Sequence, residues 1–145
     1  MYIHNKALIL VADGRKFLLL RNHGDFKKPK LVVEASGEQE NPPTREQGTD
    51  QPGRVSSGRN GVRSAMEPTD FHQIEENRFA ADVAEILSGW SRSGDMEKLI
   101  VVAPPRTLAE LRKHYTKEVS DSLVAEIDKD LTKHPVNEIV RILSQ

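Results

Sequence analysis

Three short apolar runs open the chain. Ala7-Leu8-Ile9-Leu10-Val11-Ala12 and Phe17-Leu18-Leu19-Leu20 stand on either side of Asp13-Gly14. Two strand-length runs around an Asp-Gly pair predict a hairpin, because such a turn asks for positive φ, which Gly and Asp tolerate. The polar stretch Arg21-Asn22-His23-Gly24-Asp25 is turn chemistry again, and Lys30-Leu31-Val32-Val33-Glu34-Ala35 follows it as a third strand. The opening third therefore reads as a β-meander. Its first run has no polar interruption, which predicts a central strand covered on both faces.

In the back half the period changes. From Asp70 to Trp90, Phe71, Ile74, Phe79, Val83, Ile86, Leu87 and Trp90 recur at three- and four-residue spacings and predict a long helix stopped by Gly94. Lys98-Leu99-Ile100-Val101-Val102-Ala103 is a buried strand ended by Pro104-Pro105. A helix capped by Thr107 and running to about Tyr115 should follow, then a shorter strand over Ser122–Ile127, a stretch whose pattern also suits continued helix. Pro135 opens a last helix with Val136, Ile139, Val140 and Leu143 on one side. The order β-β-β-α-β-α-β-α predicts a single α/β domain over residues 1–145. Its mixed sheet should be antiparallel at one side and parallel at the other, with helices on its faces.

Between the meander and the long helix the composition shifts. From Glu34 to Ser64 the only apolar residues are Ala35, Val55 and Val62. A segment so poor in apolar surface does not offset its ordering entropy, so a long mobile loop is expected at about 36–64. Charge divides it. Acids dominate up to Asp50, whereas Arg54, Arg59 and Arg63 lie between Gln51 and Met66 with no acid among them. The second half suits phosphate, and these three arginines are the candidate RNA or phosphate contacts.

The totals narrow the classes. The net charge of −1 over 145 residues excludes a globally basic nucleic-acid binder but permits a local basic patch. The absence of cysteine excludes a disulfide framework and thiolate chemistry. No apolar stretch approaches the ~20 residues of a membrane helix, and the N-terminus lacks a signal-peptide pattern, so a cytoplasmic protein is expected.

Catalytic signatures are thin. Gly53-Arg54-Val55-Ser56-Ser57-Gly58-Arg59 has Walker-type glycine spacing, but Arg59-Asn60 stands where a phosphate loop needs Lys and a hydroxyl. A ribonuclease H-like metal site would draw on Asp13, Glu34, Glu126, Asp128 and Asp130. Of these, Asp13 already has a turn role, and Asp128 and Asp130 alternate with lysines as on a solvated surface. His4, His23, His72, His114 and His134 form no ligand-spaced pair. No metal or other cofactor is called for.

Five stretches in order resemble the bacterial host-attachment protein family, named from a protein required for attachment to host cells. They are Val11-Ala12-Asp13-Gly14, the run from Ser57-Gly58-Arg59-Asn60-Gly61 into Ala65-Met66-Glu67-Pro68, Glu76-Asn77-Arg78-Phe79-Ala80, Leu99–Arg106, and Asp128-Lys129-Asp130-Leu131-Thr132. That family is similar in turn to the middle domain of archaeal and eukaryotic peptide-chain release factors. There, a basic loop bearing Gly-Gly-Gln enters the ribosomal peptidyl-transferase centre and helps water attack the peptidyl-tRNA ester. The resemblance puts Gly58, Arg59, Asn60, Gly61 and Val62 at the place of that tripeptide, without its adjacent glycines or its glutamine. It implies a non-catalytic module that meets the ribosome, ribosomal RNA or tRNA, with an indirect role in attachment. A hydrolase of ester-linked or phosphodiester RNA, and a domain binding an unidentified protein, are the competing classes.

Overall fold

A computed structural model describes residues 1–39 and 68–145, with backbone only for 68–70. Five strands form one sheet: β1 (Leu8–Ala12), β2 (Lys16–Asn22), β3 (Leu31–Glu38), β4 (Leu99–Ala103) and β5 (Leu123–Asp128). Their spatial order is β3-β2-β1-β4-β5. The meander pairs antiparallel, whereas β1 with β4 and β4 with β5 run parallel. Four helices complete the described chain: α1 (Pro68–Arg92), α2 (Pro105–Arg112), α3 (Lys117–Ser122) and α4 (Val136–Leu143). The expected mixed sheet in an α/β domain is what the chain forms.

Every residue of β1 and β4 is buried, which explains their unbroken apolar runs. Successive side chains of a strand point to opposite faces. Leu8, Leu10, Leu99 and Val101 therefore join one cluster with Phe79, Val83 and Leu87 of α1, Leu108 and Leu111 of α2, and Val119 of α3. Ile9, Val11, Ile100 and Val102 join the other with Ile139 and Leu143 of α4 and with Ile3. Each such large side chain contributes about 1.5–3 kcal/mol of burial. Three helices thus cover one face, and one short helix with the N-terminal segment covers the other.

Several local expectations change. The stripe on α1 begins at Phe79, for Ile74 is 42% exposed. The N-cap of α2 is Pro104, with Pro105 in the first turn, rather than Thr107; proline's fixed φ suits that position and its missing N–H costs nothing there. This helix ends at Arg112, short of Tyr115. The unforeseen α3 is capped by Thr116, whose side chain accepts from the Val119 N–H at 3.2 Å. β3 extends to Glu38, so Ser36, Gly37 and Glu38 are strand rather than loop; they pair with Leu18, Phe17 and Lys16 of β2. Gly14 is not at positive φ, for among the described glycines only Gly94, just after α1, is. Asp13 makes the turn instead: its Oδ1 accepts from the N–H groups of Arg15 and Lys16, both at 2.8 Å. A Cβ at Gly14 would sit 2.7 Å from the flexible Glu76 side chain, which would have to swing aside.

Candidate functional site

The carboxyl ends of β1, β3, β4 and β5 share one edge of the sheet, since Ala12 pairs near Phe17, Phe17 with Gly37, and Ala103 with Asp128. The early turns of α1 meet the same edge. Gln39 Nε2 donates to Glu75 Oε1 at 3.0 Å, and Gly14 lies against Glu76. Arg106, at the start of α2, donates to Gln73 Oε1 at 2.6 Å. The chain therefore leaves the described structure after Gln39 and re-enters it at Pro68 on one side of the molecule. Arg54, Arg59 and Arg63, and Gly58-Arg59-Asn60-Gly61-Val62, lie outside the described residues.

This edge also gathers three of the suspected metal carboxylates: Asp128 at the end of β5, and Asp13 and Asp130 around one hydroxyl. Thr132, 2% exposed, has its hydroxyl 2.9 Å from Asp13 Oδ2 and 2.7 Å from Asp130 Oδ1. One hydroxyl proton serves one carboxylate at a time, so the pair shares it. Glu34 lies at the other end of the sheet. Glu126 Oε1 is held by Arg112 through Nε at 2.9 Å and Nη2 at 2.7 Å. Burial pushes the nearby Tyr115 phenol well above its usual range, and the Glu126 charge adds to this. Among the described residues no three His, Asp or Glu side chains are arranged to hold a metal ion. His23, His114 and His134 instead face Glu34, Glu110 and Glu138 separately.

At the opposite end of the sheet, a cleft of about 670 Å³ opens between the ends of β2 and α1. Its wall is Trp90, with the Arg21 guanidinium 5.7 Å from the ring centre. Each nitrogen of Arg21 has an acceptor: Nε donates to Glu34 Oε1, Nη1 to the Lys6 carbonyl and Nη2 to the Asp95 carbonyl, at 2.8 to 3.0 Å. His23 Nε2 lies 3.0 Å from the second Glu34 oxygen. Partial burial works to raise the Glu34 carboxyl, but the hydrogen bonds from Arg21 and His23 outweigh it and hold it below its ordinary value.

Beside this cleft stands a group that the sequence reading passed over. The β2–β3 connection carries Phe26, Lys27, Lys28 and Lys30, all exposed, next to exposed Tyr2. An aromatic residue followed by three lysines within five positions was the available signal.

The model of the bacterial archaeo-eukaryotic release factor family 12 matches residues 6–143. The chain belongs to that family. The family 12 match spans the five strands and four helices among the described residues, and it bears out the release-factor likeness read from the five sequence stretches. No curated protein matches the chain significantly. No described helix of this family 12 member is long and apolar enough to cross a membrane.

Proposed function

We propose that this family 12 protein is a cytoplasmic, ribosome- or RNA-associated binding module in which Arg54, Arg59 and Arg63 contact phosphates. The observation that carries the reading is the common position of Gln39 and the first turns of α1. A segment of nearly thirty residues, basic in its second half, is attached at both ends to the carboxyl edge of the sheet. Sites in open α/β sheets gather outside the carboxyl ends of the strands, and family membership supplies the ribosomal context. The reading assigns binding and no peptide release, because Gly58-Arg59-Asn60-Gly61-Val62 lacks the glutamine of the release tripeptide. Any part in attachment to host cells is then indirect, through translation rather than through display on the surface.

Co-sedimentation with ribosomes over a salt series tests this. Replacing Arg54, Arg59 and Arg63 by alanine should shift the protein to the unbound fractions at a lower salt concentration than wild type. Identical profiles at every salt concentration would remove the arginines from the contact.

A further inference from the structure

We propose that the end of the sheet opposite Gln39 and Pro68 carries a second surface, built to bind single-stranded RNA. Its parts are the rings of Tyr2 and Phe26 and the ammonium groups of Lys6, Lys27, Lys28 and Lys30. The choice of RNA among single-stranded nucleic acids rests on the ribosomal reading above; the surface itself uses none of the three arginines.

The support beneath these groups is rigid. Asn22 is fully buried at the end of β2. Its Oδ1 accepts from the N–H groups of Gly24 and Lys30, both at 2.9 Å, and its Nδ2 donates to the Ile3 carbonyl at 2.8 Å. One side chain thus ties the β2–β3 connection to the N-terminal segment. Asp25 Oδ1 closes the connection's tip by accepting from Lys27 and Lys28 N–H at 2.9 and 2.8 Å. Ile3, fully buried, anchors Tyr2 from below.

What this support presents is exposed to solvent, with the Lys27 ammonium 5.9 Å from the centre of the Phe26 ring. Tyr2 is 73% and Phe26 47% exposed, and their rings stand edge to face at 5.4 Å. Phe17 and Phe79, by contrast, are in the core. Among the described residues no ion pair engages Lys6, Lys27, Lys28 or Lys30. Of the nearby acids, Asp25 is taken up by its turn, Glu34 by Arg21 and His23, and Asp95 by the Ser93 hydroxyl at 2.9 Å, whereas the exposed Glu97 lines the cleft with Lys6. Exposed rings on a fixed support, interleaved with cations that make no ion pair, combine base stacking with phosphate contact. A duplex hides its bases from such rings. A bilayer surface calls for a longer apolar face than two rings supply.

Fluorescence anisotropy with a labelled uridine dodecamer, the whole chain and a salt series tests the proposal. Tyr2→Ala should weaken binding about tenfold with the salt slope unchanged. Lys27, Lys28 and Lys30 changed together to alanine should flatten the slope of log K against log salt by about 2, at ~0.7 per phosphate contact. Tyr2 and the lysines are exposed, so both variants keep the fold, and circular dichroism verifies it. The tenfold effect of Tyr2→Ala should persist when Arg54, Arg59 and Arg63 are already alanine, which separates this surface from the loop. Wild-type affinity and slope in both variants would overturn the proposal. So would tighter binding to a duplex of the same length or to phosphatidylglycerol vesicles.

Discussion

The two ends of the sheet use the same kinds of residue differently. At the carboxyl end, polar side chains are spent on holding backbone and helices in place. Asp13 closes a turn and meets Thr132, Gln39 reaches Glu75, and Arg106 reaches Gln73. At the other end, Asn22, Arg21 and Asp25 do that structural work, and the lysines beyond them make no ion pair among the described residues. The lesson concerns reading charge. Arg21 looks like a ligand-binding cation in a cleft, yet each of its nitrogens already has an acceptor. Lys28 looks like an ordinary surface residue, yet nothing among the described residues occupies its charge.

Two glycines give the sharpest contrast between the ends. A Cβ on Gly24 would lie 2.1 Å from the Lys28 carbonyl oxygen, a backbone atom that moves only with the whole connection. Gly24→Ala should therefore cost about 3 kcal/mol in urea unfolding and blunt oligonucleotide binding as well. At Gly14 the obstacle is the flexible Glu76 side chain, so Gly14→Ala should cost under about 1 kcal/mol. Equal costs at both positions would break the distinction between a rigid basic end and a more forgiving carboxyl end.

Thr132→Val comes next in size. It removes the hydroxyl shared by Asp13 and Asp130 while keeping the side-chain volume, and should destabilise by about 1 kcal/mol. Proton exchange should quicken at the Asp13 turn and stay unchanged at the β2–β3 connection.

The smallest effect is in pH. Glu34 is held below its ordinary 4.5 because the hydrogen bonds from Arg21 and His23 outweigh the penalty of burial. A carboxyl with a lowered folded-state value stabilises fully above its unfolded value and loses that contribution as pH falls through the folded one. The stability gap between wild type and Glu34→Gln should be complete at neutral pH and shrink steadily below about 4.5. A gap that is flat from pH 7 to 3 would mean that the carboxylate charge contributes nothing.

Much of this fold was legible because its buried parts are long and uninterrupted. The unbroken runs of β1 and β4, the Asp-Gly hairpin and the helix ending just before Gly94 all carry their signal in the local sequence. The misses lie where tertiary context decides. α3 has six residues and one buried side chain, Val119, too few to show a period. Ser36-Gly37-Glu38 is strand because β2 pairs with it at the sheet's edge, not because its own residues favour one. Asn22 read as turn chemistry, and its burial emerges only once Ile3 and Lys30 are folded around it. The tyrosine and phenylalanine platform was equally hidden, since its rings are 24 residues apart in the chain.

Ultraviolet crosslinking of the protein to RNA in cells, with crosslinked peptides located by mass spectrometry, tests most directly the claim that this domain meets RNA at both ends of its sheet. Crosslinks should fall on peptides containing Tyr2 or Phe26 and on those spanning Gln51–Met66, and should be lost separately in the Tyr2→Ala and triple-arginine variants. Crosslinks confined to the helix-covered face around Arg112 and Glu126, or none above background, would contradict it.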